Sequence, residues 1–170
     1  MSKDIGVEDL SFEEMVKGAV KAEINAREVY EYMAGRVDNF VVTDRFEFLA
    51  GEEKKHEGFL RDIYKSLVSK KELEVPEDTP VPLPYIRYGD DMDEAEIIDQ
   101  AMDAELASRD FYREMAKKAE DVGLQKNPNK LLTYLAGMEQ NHYEILKEEF
   151  QRMSEFEEFD QYHPAMHQGP

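Results

Sequence analysis

Apolar residues recur along this chain at steps of three and four, the spacing that places side chains on one face of an α-helix. Ser11 and Glu14 have the spacing of a capping box, and Asn127-Pro128 has the form of an N-cap followed by proline in the first turn. The pattern predicts an all-α fold with four long helices, at about residues 11–37, 43–70, 91–119 and 127–153.

A segment without helical periodicity separates the second predicted helix from the third. Residues 71–90 contain four prolines, which exclude a regular helix or a central strand. Short turns join the first helix to the second and the third helix to the fourth. The sequence therefore predicts a four-helix bundle of two hairpins joined by a long crossover. Residues 1–153 would form this one domain, and residues 154–170 an acidic, irregular C-terminal tail.

The two predicted hairpins have similar sequences. Residues 19–30 align with residues 101–112 and share a glutamate, an arginine and a tyrosine. Residues 49–56 align with residues 135–142 and share a Leu-Ala-Gly run and a Glu-x-x-His motif. The chain therefore predicts one helical hairpin that has been duplicated.

Each apolar seam is interrupted by a glutamate, and two seams also by a histidine. Residues three apart on a helix project from the same face, so each Glu-x-x-His motif presents a carboxylate and an imidazole to one point. In the bundle, all these side chains would meet in one interior layer. The predicted layer consists of Glu23, Glu53, His56, Glu105, Glu139 and His142.

The charge of this layer points to metal ions. Ionised carboxylates without partners in a core cost several kcal/mol each, whereas two divalent cations would neutralise all four. Carboxylates and imidazoles suit iron, manganese and zinc, and the sequence contains no cysteine that would offer a thiolate. A lone Glu-x-x-His motif is weak evidence. Two of them in a duplicated seam favour a dinuclear metal site over a metal-free polar layer.

With these six residues the chain resembles the ferritin-like di-iron carboxylate proteins, and more narrowly their rubrerythrin-like branch, over about residues 11–153. The resemblance implies two iron ions, although manganese or zinc would fit the same ligands. Ser108 stands where the family usually has a second third-helix glutamate, and the cysteine-free chain has no ligands for the rubredoxin domain of full-length rubrerythrins. The implied ligands are Glu23 and His56 for one ion, Glu105 and His142 for the other, and Glu53 and Glu139 as bridges.

The resemblance also implies an activity. It is that of a non-haem di-iron oxidoreductase that reduces H2O2 or O2 under oxidative stress, with electrons from an external donor such as a rubredoxin-type protein. The alternatives are a ferroxidase, iron-binding or iron-storage protein and, third, a di-manganese catalase. A homodimer is expected, with helix exchange through the long crossover as a variant of it.

Two further pairs of side chains have a functional and a structural interpretation. Tyr30 and Tyr112 lie two turns after Glu23 and Glu105, and would be either core aromatics or phenols that bond a ligand carboxylate or donate an electron. His163 and His167 have a loose metal spacing, but the proline between them favours a mobile or docking tail.

The overall composition restricts the classes of molecule that would bind this protein. The 170 residues include 39 acidic and 21 basic side chains, a formal charge of -18, which repels nucleic acid and anionic membranes. No apolar run has the length of a transmembrane helix, and the first residues lack a secretory apolar stretch. We therefore expect a cytoplasmic protein without nucleic-acid or membrane partners.

Overall fold

The computed structural model describes residues 6–122 and 127–162, with side chains described to residue 155. Four helices follow a short 3-10 turn, and no β-strand occurs in these residues. The predicted all-α architecture of four helices is confirmed. The helices are α1 (Phe12–Arg36), α2 (Phe40–Ile63), α3 (Glu94–Asp121) and α4 (Asn129–Tyr162). None of these helices is both long and apolar enough to span a membrane.

Side-chain caps begin α1 and α4 as predicted. The Ser11 hydroxyl accepts the backbone N–H of Glu14 at 3.2 Å, and the Glu14 carboxylate accepts the backbone N–H of Ser11 at 2.8 Å. This is the reciprocal arrangement of a capping box. The Asn127 carboxamide oxygen accepts the backbone N–H of Asn129 at 2.8 Å, with Pro128 between them.

The second helix differs from its predicted limits at both ends. The Asn39 carboxamide oxygen accepts the backbone N–H groups two and three residues later, so α2 begins at Phe40 rather than near Thr43. Capping by Asn satisfies N–H groups that the first turn leaves without partners. At the other end, a π-helical turn at Tyr64–Val68 replaces the α-helix predicted to about Lys70.

The C-terminal helix is longer than predicted. Residues 154–170 were expected to be irregular, yet α4 continues through Tyr162. The sequence explains this difference, because residues 154–163 contain no proline or glycine, and their three glutamates and one glutamine are good helix formers. His163 and His167 lie outside the described residues.

Two apolar clusters fill the bundle. One joins the start of α1, the end of α2, the end of α3 and the start of α4, and the other joins the opposite halves of the same helices. In every helix the buried acidic residue of the predicted layer lies between the two clusters, as Glu23 does between Val20 and Val29. The polar layer is therefore sealed from water on two sides.

The predicted crossover is present and runs along the bundle without helix or strand from residue 69 to 93. Arg36 binds its C-terminal part by donating to the carbonyl oxygens of Gly89 at 2.9 Å and Met92 at 2.7 Å. Further toward its start, Val81 packs on Gly18 of α1 so closely that a Cβ atom at Gly18 would overlap the Val81 side chain.

Gly18→Ala tests this close contact. We expect the free energy of unfolding of the variant to be about 1–2 kcal/mol lower, because overpacking outweighs the better helix propensity of alanine. Thermal unfolding monitored by circular dichroism would measure the change. Gly51→Ala is the matched control, since a Cβ at Gly51 meets no atom within 4 Å, and it should raise stability by roughly 0.5–1 kcal/mol. An equal gain in both variants would contradict the packing.

Candidate metal centre

All six predicted ligands lie in one buried layer. The helices α1 and α3 contribute one glutamate each, and α2 and α4 each contribute a glutamate and the histidine one turn later. Their exposed fractions range from 0% to 3%, although fully buried glutamates are rare in proteins unless they are paired. The residues are Glu23, Glu53, His56, Glu105, Glu139 and His142.

Each histidine turns its Nδ1 atom toward three carboxylates. Nδ1 of His56 lies 3.0 Å from an oxygen of Glu53, 3.0 Å from one of Glu139 and 3.7 Å from one of Glu23. Such a number of oxygens around one ring nitrogen exceeds what a single N–H can satisfy.

The second histidine repeats this arrangement. Nδ1 of His142 lies 2.9 Å from Glu53, 3.2 Å from Glu139 and 3.6 Å from Glu105. The two imidazole rings stack with their centroids 5.2 Å apart. Glu53 and Glu139 are therefore close to both histidines, whereas the other two glutamates each approach only one.

Four of the six predicted ligands have no hydrogen-bond partner within the protein. Both carboxylate oxygens of Glu53 and Glu139, and both ring nitrogens of His56 and His142, are buried without a geometrically acceptable hydrogen bond. One ligand atom from each of these four residues lies within 4.8 Å of the others. Buried polar groups are normally satisfied, so this convergence of unpaired oxygen and nitrogen atoms fits a metal site. Its oxygen and nitrogen donors suit iron or manganese.

Burial and mutual repulsion change the protonation of the layer. Burial, together with Glu23 and Glu105, raises the pKa of Glu139 to about 8. Burial and the charge of Glu53 raise the pKa of Glu23 well above its usual range. Burial alone would lower the pKa of His56, but Glu139 and the other nearby carboxylates raise it overall. The metal-free layer therefore holds protons, which entering metal ions must displace.

Two tyrosine hydroxyls each donate a hydrogen bond to a layer glutamate of the opposite hairpin. The Tyr30 hydroxyl of the first hairpin donates to Glu105, and the Tyr112 hydroxyl of the second donates to Glu23. Both side chains are buried in the apolar clusters, so they are core aromatics and carboxylate donors at once. Burial, aided by the charges of Glu105 and Glu53, raises the pKa of Tyr30 well above its usual range. Its hydroxyl therefore stays protonated.

A small cavity borders the centre on the side away from the histidines. Its volume is about 10 Å³, and all four layer glutamates line it together with parts of α1, α3 and the crossover. This volume is close to the least that holds one water molecule. Ser108 and Ala26 occupy equivalent positions of the repeat on two of its walls, and Pro84 and Ile86 close it from the crossover.

One buried polar residue of this region was not predicted from the sequence. Asn25 is 4% exposed, and its carboxamide donates to the Ile86 carbonyl oxygen at 3.1 Å and accepts the Ile86 N–H at 2.8 Å. The repeat contains the signal that would have identified it. Asn25 aligns with Ala107, so the first hairpin has a buried amide where the second has a methyl group.

Comparison with known proteins agrees with this architecture. The family model described as Rubrerythrin matches residues 14–150 and, in a second match, residues 96–166. A hypothetical protein from Pyrococcus furiosus is 30% identical, with a TM-score of 0.71 over 89% of this chain and 98% of that one. No curated protein matches the chain.

Two more distant solved structures share the fold. One is described as a dodecameric thioferritin, the bacterioferritin-related protein from Bacteroides fragilis; it is 20% identical, with a TM-score of 0.69 over 91% of this chain and 92% of that one. The other, from Bacillus anthracis, is described as a ferritin-like, diiron-carboxylate protein; it is 22% identical, with a TM-score of 0.60 over 88% and 99%. These matches confirm the predicted ferritin-like four-helix bundle.

Proposed function

The chain belongs to the rubrerythrin family, and from this membership we propose that it is a non-haem di-iron oxidoreductase that reduces H2O2 or O2 with electrons from an external donor. The observation that carries the proposal is the set of buried, unpaired oxygen and nitrogen atoms of Glu53, His56, Glu139 and His142. Only cations balance such a layer without leaving it protonated.

We assign the terminal ligands by proximity. Glu23 and His56 would hold one ion, and Glu105 and His142 the other, in keeping with the 3.7 Å and 3.6 Å separations within these pairs. Glu53 and Glu139 would bridge the two ions, because each lies within 3.2 Å of both histidines. A bound pair of iron ions supplies one-electron redox chemistry from each metal.

The residues of the chain supply binding, orientation and exclusion of water. The apolar clusters keep the layer dry, and Tyr30 and Tyr112 orient the two terminal glutamates. Reduction of H2O2 breaks the O–O bond, consumes two electrons and two protons, and releases two water molecules. The cysteine-free sequence has no thiolates for a second iron centre, so we propose an external donor such as a rubredoxin-type protein.

Iron loading and rapid mixing would test the proposal. We expect about two iron ions per chain after anaerobic ferrous loading, in line with a dinuclear carboxylate site. Stopped-flow absorbance should then show faster oxidation by H2O2 than by O2, with rereduction by a rubredoxin-type donor. Binding of less than about one ion per two chains would contradict the site itself.

Ferroxidase and iron-storage activity is the second candidate. The Bacteroides fragilis protein of the same fold is described as a thioferritin and a dodecamer. Storage requires a hollow shell of many subunits, so the mass in solution separates the two functions. A closed multisubunit particle that retains oxidised iron would favour storage, and a homodimer, with or without exchanged helices, would favour the oxidoreductase. Disproportionation of H2O2 without a reductant would instead indicate a di-manganese catalase.

The tyrosine hydroxyls should contribute to metal affinity. Tyr30→Phe and Tyr112→Phe each remove one hydrogen bond to a terminal glutamate, and we expect each to weaken iron binding by about 10–100-fold, as is usual for partners of metal ligands. Competition with a chelator would measure the affinity. Tyr64→Phe is the control, because Tyr64 is also buried but bonds Glu13 outside the layer. Equal affinities in all three variants would contradict the assigned role.

A further inference from the structure

We propose that Asn25 is a positioning residue that holds the crossover as a roof over the carboxylate face of the metal centre, and thereby limits the size of the ligand that reaches it. Here the roof is defined as residues 84–86. The ligand class, small peroxides and O2, rests on the function proposed above. The position of the roof rests only on contacts within the chain.

The clamp is a two-point hydrogen bond to the backbone of one residue. The Asn25 side chain both donates to and accepts from Ile86, at 3.1 Å and 2.8 Å, and all of these groups are buried. Without this side chain, the buried N–H and C=O of Ile86 would lose their partners, which is costly. In a protein without this side chain, moving the roof into water would give these groups new partners and relieve that cost. In the parent protein the Asn25 amide therefore holds the roof closed.

The roof borders the carboxylate face of the centre, at a cavity that neither histidine lines. His56 and His142 approach from α2 and α4, whereas the cavity lies against α1 and α3 and is lined by all four glutamates. Pro84 and Ile86 close it. A ligand that enters the cavity from the crossover side must therefore pass beneath or displace these two residues.

The internal repeat separates this clamp from the requirements of the metal layer. The layer glutamates, the histidines and both tyrosines recur in the two hairpins, but Asn25 aligns with Ala107. A residue needed to build the layer itself would be expected in both halves. Only the first hairpin binds Ile86 of the crossover in this way. The amide is therefore explained by its contact with the crossover and not by a requirement of the metal ligands.

The cavity volume sets the expected ligand size. About 10 Å³ is near the limit for a single water molecule, which suits slender ligands with at most three heavy atoms in a line. A peroxide with a tertiary butyl group, or an aromatic carboxylate, would need the roof to move. The geometry thus favours H2O2, O2 and azide over bulkier ligands.

Three variants separate the clamp from the rest of the crossover. Asn25→Leu removes both hydrogen bonds and keeps the number and branching of the side-chain heavy atoms. Pro84→Gly removes a ring from the roof but keeps the clamp. Gln100→Ala is the control, because Gln100 makes a similar two-point contact with the Arg87 backbone, at 3.2 Å and 3.4 Å, outside the cavity. The readouts are hydrogen exchange at the Ile86 amide in the metal-free protein, and optical titration of the iron-loaded protein with azide and with benzoate.

We expect Asn25→Leu to raise Ile86 amide exchange and the benzoate-to-azide affinity ratio by about tenfold or more each, as expected for losing a buried hydrogen-bonded clamp. Pro84→Gly should raise the affinity ratio but not the exchange rate, and Gln100→Ala should change neither. Unchanged exchange or an unchanged ratio in Asn25→Leu would overturn the inference. If Asn25→Leu does not fold, an unchanged ratio in Pro84→Gly overturns it.

The same samples separate this inference from the proposed function. The relative turnover of H2O2 and tert-butyl hydroperoxide should change in parallel with the affinity ratio. If the iron-loaded protein binds azide selectively but reduces neither H2O2 nor O2, the proposed function fails and the roof stands. If it reduces H2O2 but Asn25→Leu leaves every ratio unchanged, the roof fails and the proposed function stands.

Discussion

Replacement of Glu53 and Glu139 together by alanine is expected to abolish dinuclear metal binding while leaving the helical fold intact. These two carboxylates lie within 3.2 Å of both histidine Nδ1 atoms, so their removal takes away the proposed bridges and half of the negative charge of the layer. Iron content after anaerobic loading and desalting should fall from about two ions per chain to well below one.

The same variant should not be less stable than the metal-free parent protein. The replaced side chains have four buried carboxylate oxygens without partners. Replacing buried charged groups by well-packed apolar residues is often neutral or stabilising by about 1–4 kcal/mol, and the cavities that alanine leaves offset part of this gain. Chemical unfolding in the presence of a chelator would measure the difference. Marked destabilisation would instead indicate that the layer is held together as a metal-free network.

Glu149→Ala provides the matched control for this experiment. Glu149 is also a buried glutamate of α4, but it pairs with Arg45 and Arg152 rather than with the layer. It should keep its iron and lose stability through its ion pairs. Loss of iron in Glu149→Ala as well would mean that metal binding reports only the integrity of α4.

Metal removal should produce the second large effect, a fall in the melting temperature. A ligand that binds only the folded state stabilises it by about 2.7 kcal/mol at one hundred times its dissociation constant. For a chain of this size, each kcal/mol shifts the melting temperature by roughly 2–4 °C. We therefore expect the ferrous protein to melt roughly 5–10 °C above the same protein with an excess of chelator.

The alanine double variant makes this measurement specific. Its melting temperature should be the same with iron and with chelator, because the centre that links metal to folding is gone. A shift that persists in the double variant would place the stabilising metal elsewhere on this strongly acidic surface. Anaerobic differential scanning calorimetry would record both proteins under identical conditions.

The helices and the polar layer could be predicted from the sequence because both depend on short-range periodicity. Glu53 and His56 occupy seam positions between Leu49 and Leu60, and helical geometry alone places such residues on one inward face. The start of α2 was harder to predict, since Asn39 reads equally well as a turn residue and as an N-cap.

Other features depend on how distant segments meet. The crossover has no periodicity, so nothing local indicates that Ile86 would lie beside Asn25, although the repeat shows Asn25 to be unusual. The prediction that α4 ends at about Met153 is wrong because it takes the acidic composition of the following residues as a sign of irregular structure, whereas glutamate is a good helix former.

The hydrogen bonds of Tyr30 and Tyr112 each join one hairpin to the other, and this has a consequence for assembly during synthesis. Tyr30 and Glu105 are 75 residues apart in the chain, and Glu23 and Tyr112 are 89 residues apart. The first hairpin therefore leaves the ribosome with its glutamate and histidine inward and with no phenol to bond its terminal carboxylate. Assembly of the centre must wait until α4 has emerged, because long-range contacts form only after their loop-closure entropy is overcome. The six residues of the layer can thus meet only in the finished chain and not in a nascent half of it.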